Sequence, residues 1–354
     1  MIFCTLFDSN YLDKGFVMFN SLKRLNVDFK LYVLAMDEVC YKVLSDEKNN
    51  NVNGKELIPV SLDEFLSFEI NSDIKPLRHK RFWAEFCWTC TSYLIDYVLT
   101  VKKEKICTYI DADLYFYNNP EILIDEMQDK TVQIVPHRFT NSEFDKMAEQ
   151  HSGTYCVEFN TFKNARNSLE LLRWWKAQCF KECSVKSSEK AFGDQKYLNG
   201  WEKKDFVSVL ENLGGGVAPW NIRQYKMCDK DNLILEEKKT VKKFELVFYH
   251  FQHITYITPH KININVYNAY QSGVDSRIIK AVYIPYLKEL DHAKNILNEK
   301  YGIYPILYEH PALEGTIKKR TFLDRLKALP KNLCTKIPTW IKFKISQRKN
   351  IIEI

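Results

Sequence analysis

No stretch of the chain approaches the roughly 18 consecutive apolar residues that a bilayer-spanning helix needs, and Met1-Ile2-Phe3 enters an apolar run with no basic segment ahead of it. The first absence argues against an integral membrane protein. The second sets the expectation of a cytoplasmic protein without a secretory leader. The ten cysteines show no even framework spacing, which excludes a disulfide-stapled scaffold and reads as reduced, buried thiols. Cys87-Trp88-Thr89-Cys90 has the C-x-x-C spacing but no second pair, and Cys179 and Cys183 lack a nearby histidine, so neither makes a zinc site. There is no internal repeat and no linker before about residue 312.

What the chain has is enough length, 354 residues, to bury a full core, together with a high aromatic share of 14%. Such a share serves a packed core and equally provides stacking surfaces for rings and sugars. The net charge of +6 is unevenly spread. Eleven Lys or Arg against the single acid Asp324 lie between Lys318 and Lys349, which leaves the rest slightly acidic.

Taken in order, Ile2–Phe7 is an apolar strand ending at Asp8-Ser9-Asn10. A helix follows, with Leu12, Phe16, Phe19, Leu22 and Leu25 at three- and four-residue spacing. Leu31–Met36 is a second strand of the buried type. This β-α-β start predicts a mostly parallel sheet with right-handed crossovers, whose ligands bind beyond the carboxyl ends of the strands. Further strands are expected at 56–60, 106–110, 132–136 and 246–249, with a strand pair within 151–165. Helices are expected at 62–68, 81–99, 122–127, 169–180 and 277–301.

The sharpest stretch is Tyr109-Ile110-Asp111-Ala112-Asp113-Leu114-Tyr115, where an apolar strand delivers two carboxylates at i and i+2. A strand-end Asp-x-Asp can simply cap a turn. It is also a hard-oxygen site of the kind that holds Mg²⁺ or Mn²⁺ while substrate phosphates complete the shell. His250 ends a later apolar strand, in Tyr249-His250-Phe251. If it shares an ion with Asp111 and Asp113, the mixed oxygen and imidazole set favours Mn²⁺ over Mg²⁺. A phosphoryl hydrolase using Asp111 as nucleophile is an alternative, but that chemistry would put the motif on the opening strand.

Several of these segments carry a resemblance. Leu6-Phe7-Asp8-Ser9-Asn10-Tyr11 with Ser21-Leu22, Asp111-Ala112-Asp113, Phe159-Asn160, Asp194-Gln195-x-x-Leu198-Asn199, Pro219-Trp220-Asn221 and Tyr249-His250-Phe251 follow the order found in glycosyltransferases of the GT-A type. The chain most resembles the glycogenin and galactosyltransferase-type group and its bacterial nucleotide-diphospho-sugar transferase relatives, over roughly residues 1–255. The resemblance implies a Rossmann-like α/β fold with a mixed, mostly parallel sheet flanked by helices, and transfer of a sugar from a nucleotide-sugar, most often a UDP-sugar, to an acceptor hydroxyl. It implies that Asp111, Asp113 and His250 hold Mn²⁺ (or Mg²⁺), that Phe7, Asp8, Asp111, Ala112, Asp113 and Asn160 face the donor, and that Asp194 and Gln195 act at the reacting carbon. In a retaining enzyme Asp194 or Gln195 would stabilise an oxocarbenium-like transition state; in an inverting one Asp194 would be the general base. Asp194 could equally cap the helical turn that follows it. The family continues after its histidine with Gly and Lys-Pro-Trp, whereas here Phe-Gln-His-Ile-Thr-Tyr follows. His253 or Lys261, or Arg78, Lys80 or Arg81 ahead of the long helix, are the alternatives for a phosphate-binding cation.

The expected organisation is a catalytic domain over 1–265, a helical extension over 266–311 and a basic amphipathic C-terminal tail over 312–354. The tail interleaves Phe322, Leu326, Trp340, Ile341 and Phe343 with its basic residues. It reads as a segment for an anionic membrane surface, placing the enzyme at the inner face, or as an extension packed on the domain. Nucleic acid is not an expected partner, because no reading module accompanies the basic residues. The acceptor expected by family analogy is a surface glycan or a lipid-linked oligosaccharide. A non-catalytic nucleotide- or sugar-binding module on the same fold is the non-enzymatic alternative.

Overall fold

The computed structural model describes residues 1–49, 51–258, 260–266, 274–304 and 350–353. They divide between two compact units, one of Met1–Gln252 with Gly273–Tyr304 and one of His253–Ser272 with Pro305–Ile354.

The first unit is built on a seven-stranded sheet. Strand β1 (Ile2–Phe7) leads through helix α1 (Leu12–Arg24) to β2 (Phe29–Ala35), then through α2 (Glu38–Lys48) to β3 (Lys55–Ser61). The expected β-α-β start is thus present, and β1, β2 and β3 pair in parallel. Asp37 caps α2, its carboxylate accepting from the Cys40 N–H at 2.7 Å, and Ser61 caps α3 (Leu62–Ser67) through the Glu64 N–H at 3.1 Å. Helix α4 (Trp83–Asp96) is buried along most of its second half. It feeds β4 (Ile106–Ile110), which pairs in parallel with β1. After the short strand β5 (Leu114–Phe116) and helix α5 (Glu121–Asp125) comes β6 (Val132–Pro136).

Helix α6 (Glu143–Ser152) and the single strand β7 (Tyr155–Lys163) occupy the region where a strand pair was expected. Gly153, at φ +91°, ends α6 and turns the chain. The apolar run that follows is one continuous strand rather than two. Helix α7 (Arg166–Lys181) packs on α4, joined to it by a buried ion pair between Lys176 and Asp96. Strand β8 (Val207–Val209) closes the sheet, in the order β3-β2-β1-β4-β7-β6-β8. Only β7 runs against its neighbours, so the sheet is mixed and mostly parallel, as the sequence led one to expect.

Three strands that the sequence reading did not find, β9 (Tyr225–Asp229), β10 (Ile234–Glu237) and β11 (Lys243–Glu245), form an antiparallel ladder of their own. Strand β12 (Phe248–His250) pairs antiparallel with β5. Helix α8 (Ile284–Tyr301) lies against α1, where Glu289 accepts from Arg24 and from the Tyr115 hydroxyl. Phe3, Phe116, Phe159 and Phe248 form a buried aromatic cluster, each worth roughly 1.5–3 kcal/mol on burial.

The second unit contains an antiparallel sheet of β13 (Thr255–Thr258), β14 (Lys261–Asn263) and β15 (Ile351–Glu353), with Ile262 opposite Ile352. Among the described residues no helix is long and apolar enough to cross a membrane. The basic run Lys318–Lys349 on which the membrane expectation rests lies outside the described residues.

Candidate active site at the carboxyl edge of the sheet

Strand register assembles the site. β4 ends at Ile110, and Asp111-Ala112-Asp113 forms the turn into β5, closed by the Leu114 N–H donating to the Asp111 carbonyl at 3.3 Å. In the β5–β12 ladder, His250 stands opposite Leu114, directly beside Asp113. The Phe251 N–H donates to the Asp113 carbonyl at 2.9 Å, and the His250 N–H to the Val217 carbonyl at 2.9 Å. Two distant segments are therefore fixed against each other by backbone bonds on both sides of the imidazole.

The side chains converge. His250 Nε2 lies 3.1 Å from Asp113 Oδ1 and 3.7 Å from Asp111 Oδ2, while Nδ1 is 2.7 Å from Glu158 Oε2. Glu158 comes from β7 and is fully buried. Its other oxygen, Oε1, has no hydrogen-bond partner among the described residues. A buried acid holding Nδ1 fixes the ring and turns Nε2 toward the two aspartates, which is how outer carboxylates orient a metal-ligating histidine.

Ligand atoms of Asp111, Asp113 and His250 all lie within 4.8 Å of one another. Two hard oxygens and one imidazole, already oriented, fit a divalent cation such as Mn²⁺. Cys156, Glu158 and His250 make a second such grouping. Burial, followed by the Glu158 charge, pushes the Cys156 thiol well above its usual range, so in the metal-free protein it is a protonated thiol.

The electrostatics follow from three acids, Asp111, Asp113 and Glu158, around one imidazole. Burial opposes charge on His250, but Asp113, with hydrogen bonds to Asp113, Cys156 and Glu158, outweighs it and raises its pKa well above the usual value. Burial also pushes Asp113 up, yet His250 and the ammonium of Lys14 more than reverse this and hold it below the ordinary range. Asp111 keeps 29% of its side chain exposed. It is raised by burial and by Asp113, Asp194 and Glu158, with His250 opposing. A site with this surplus of negative charge is receptive to a cation.

Asp194 is buried, and burial pushes its carboxyl up to about 7, with the Thr91 hydroxyl and its own backbone N–H pulling the other way. Its main-chain carbonyl accepts from the Trp175 indole at 2.8 Å. The residue before the turn Lys196–Leu198 is Gln195, whose side chain makes no capping bond. Gln195 instead donates to the Ser152 carbonyl at 3.0 Å, at the end of α6. Of the two, Asp194 is the one whose charge Asp111 feels.

The other expected donor residues are placed as follows. Ala112 is buried between the aspartates. Asp8 ends β1 and accepts from the Trp83 indole at 2.8 Å and from the Asn10 N–H at 3.0 Å. The Phe7 ring is committed to Gly15 of α1, where a Cβ would come within 2.5 Å of it. Asn160 is fully buried in β7, at a break in the β6–β7 register. There it accepts from the Val135 N–H at 3.2 Å and donates to the Cys156 carbonyl at 3.2 Å, so its amide mends the ladder.

Of the basic residues weighed for phosphate, Arg81 donates to Thr89 and to the Cys179 and Phe180 carbonyls, tying α4 to α7. Arg78 faces Asp63 at 3.6 Å. His253 and Lys261 belong to the second unit.

Trp220 stands edge-on to both His250 and His137, at 5.2 Å from each ring, and donates to the His137 carbonyl at 3.0 Å. Asn221 donates to the same carbonyl at 3.0 Å and to that of Gly216 at 2.7 Å. Gly216 needs its φ of +78°, and a Cβ there would meet Val135 and Arg138 at 2.9 Å. The Pro219-Trp220-Asn221 segment thus buttresses the histidine rather than reaching a ligand through its amide.

Sequence reasoning missed Glu158, Lys14, Trp83 and Thr91. Glu158 had a signal, since an acid inside the apolar run 155–162 must be paired to be buried there. Lys14 and Thr91, lying on ordinary helices, had none.

The mixed α/β sheet thus carries an acidic, histidine-bearing cluster at its carboxyl edge, where open α/β sheets bind their ligands. The chain belongs to the same family as the uncharacterized protein YfnF of Bacillus subtilis (strain 168), with 31% identity over 257 residues, covering 70% of this chain and 80% of YfnF. It is also similar to the uncharacterized protein YfnD of the same organism, 26% identical over 307 residues, covering 86% of this chain and 92% of YfnD. Neither name carries an activity. No family model matches the chain. Among solved structures it is similar to the galactosyltransferase LgtC, solved in complex with donor and acceptor sugar analogs, at 13% identity and a TM-score of 0.48, covering 82% of this chain and 96% of that one.

Proposed function

We propose that the protein is a metal-dependent glycosyltransferase that moves a sugar from a nucleotide-sugar, a UDP-sugar by preference, to an acceptor hydroxyl. The observation that carries this reading is the cluster of Asp111, Asp113 and His250, backed by Glu158, with the buried Asp194 carboxyl within electrostatic reach.

Asp111 and Asp113 offer oxygens and His250 offers Nε2 to one divalent ion, Mn²⁺ in preference to Mg²⁺. Bound there, such an ion supplies charge neutralisation for a departing nucleotide diphosphate. Glu158, accepting from Nδ1, leaves Nε2 as the nitrogen that would give up its proton to ligate the ion. In this reading Asp8 and Trp83, joined at 2.8 Å just past the end of β1, take the nucleoside. Asp194, with a carboxyl poised near neutrality, can hold or release a proton at the reacting carbon. Its role is general base if the configuration inverts and charge stabiliser if it is retained.

The acceptor in this reading is a glycan or lipid-linked oligosaccharide, with the basic C-terminal tail resting on an anionic inner membrane surface. A thermal-shift screen of nucleotide-sugars with Mn²⁺ tests the function. A donor present at a hundredfold over its Kd adds about 2.7 kcal/mol to the native state. The reading is contradicted if no nucleotide-sugar raises Tm in the presence of Mn²⁺.

A further inference from the structure

The His250 imidazole has two sides, and each carries its own group of ligands. Nε2 faces Asp113 and Asp111, while Nδ1 faces Glu158 at 2.7 Å. Ligand atoms of Cys156, Glu158 and His250 also lie within 4.8 Å of one another. Cys156 and Glu158 stand at i and i+2 on β7, so the strand's period of two puts both side chains on one face of the sheet. The Asp111 N–H donates to the Glu158 carbonyl at 3.1 Å and fixes β7 against the turn that His250 adjoins. Cys156, Glu158 and His250 are 4%, 0% and 3% exposed, so all three are closed off from solvent.

The two groups differ in chemistry. Asp111 and Asp113 offer hard oxygens, whereas the Nδ1 side adds a sulfur, and thiolate with imidazole selects Zn²⁺ over Mn²⁺. A second observation points to a ligand there: Glu158 Oε1 is buried and has no hydrogen-bond partner among the described residues. Leaving a carboxylate oxygen unpartnered in the interior is costly. An ion between Cys156, Glu158 and Nδ1 gives that carboxylate a partner. The Cys156 thiolate and the Glu158 carboxylate together carry the two negative charges that a buried divalent ion needs as compensation.

We propose that Cys156, Glu158 and His250 Nδ1 form a second metal site, selective for Zn²⁺, and that the shared imidazole holds an ion on only one of its two sides at a time. A neutral imidazole has one bare nitrogen and one protonated nitrogen. When Zn²⁺ binds Nδ1, the thiol proton and the Nδ1 proton leave to solvent, and the remaining ring proton stays on Nε2, aimed at Asp113. Nε2 is then a donor and no longer a ligand. An ion held by Asp111, Asp113 and Nε2 imposes the converse arrangement, with the proton on Nδ1 donated to Glu158. Zn²⁺ on the inner side therefore closes the outer side to Mn²⁺, a consequence that rests on the metal-dependent reading given above.

Titrations of the full chain test this, with Co²⁺ as the spectroscopic stand-in for Zn²⁺ because its thiolate complexes absorb in the near ultraviolet. The wild type with CoCl₂ should show a thiolate-to-cobalt charge-transfer band that stoichiometric ZnCl₂ removes. Cys156→Ser should lack the band and lose more Zn²⁺ affinity than the about 10–100-fold that an outer-partner change costs, while its Mn²⁺ affinity matches that of the wild type. Loading the wild type with Zn²⁺ should weaken Mn²⁺ binding about tenfold or more, and Cys156→Ser should abolish that antagonism. Cys156→Ala repeats the comparison where the serine variant fails to fold. A Co²⁺ spectrum with no Cys156-dependent band overturns the proposal and, with Mn²⁺ still bound, leaves the proposed function intact. Zn²⁺ and Mn²⁺ bound together at undiminished affinity also overturns it. A Cys156-dependent band in a protein that binds no Mn²⁺ supports the zinc site and overturns the metal dependence of the proposed function.

Discussion

Replacing Asp194 with asparagine removes one charge from a site whose shape the amide preserves, because an amide oxygen can still accept from Thr91. In the wild type, burial raises the Asp194 carboxyl to about 7 from an ordinary value near 4. The folded state thus holds this proton more tightly than the unfolded chain does. Its stabilising contribution is fully present below pH about 4, is lost as pH rises toward about 7, and is constant above that. Three units at 1.36 kcal/mol each set the total at about 4 kcal/mol. The steepest loss is about 1.4 kcal/mol per pH unit, between pH 4 and 7. Urea unfolding of wild type and Asp194→Asn in metal-free buffer, at half-unit steps from pH 4.5 to 8.5, measures this directly. The wild type should lose several kcal/mol relative to the variant across that range, and the variant should be the more stable protein above pH 7 while losing transferase activity. A stability difference that does not change with pH would refute the burial argument and, with it, the poised proton assigned to Asp194.

Glu158→Gln leaves a group able to accept from His250 Nδ1 but removes the charge behind it, so Mn²⁺ affinity by titration should fall about 10–100-fold with the fold retained; unchanged affinity would show that Glu158 does not orient the ligand. Asn160→Ala orphans the Val135 N–H and the Cys156 carbonyl, at about 1–3 kcal/mol each. Its urea midpoint should therefore drop by an amount worth about 2–6 kcal/mol, and a midpoint unchanged from wild type would mean that water mends the ladder instead.

The parts of the fold that were readable are those written in local pattern. The β1-α1-β2 start, the strand before Asp111 and the amphipathic spacing of α1 all follow from residues within a few positions of one another. Both aspartates were visible because a strand end places i and i+2 together without any help. From its own surroundings His250 was visible as a strand-terminal histidine, and the family resemblance is what joined it to the two aspartates; its arrival beside Asp113 depends on β5–β12 register, a pairing of distant segments that no local spacing encodes. The same reason hid the β9–β11 ladder. Helix α6 was obscured because only Gly153 marks where it stops and β7 begins. Asn160 was picked out as a donor residue, and what fixes its amide is a register break in β7.

The central claim is that Asp111, Asp113 and His250 hold a divalent ion that in turn holds a nucleotide diphosphate. Titration of UDP into the full chain with and without Mn²⁺, for wild type and Asp113→Ala, tests it most directly. Mn²⁺ should raise the affinity of the wild type for UDP by at least tenfold, about 1.4 kcal/mol, and Asp113→Ala should abolish this gain. UDP binding that is indifferent to Mn²⁺, or an Asp113→Ala variant that keeps the full gain, would contradict it.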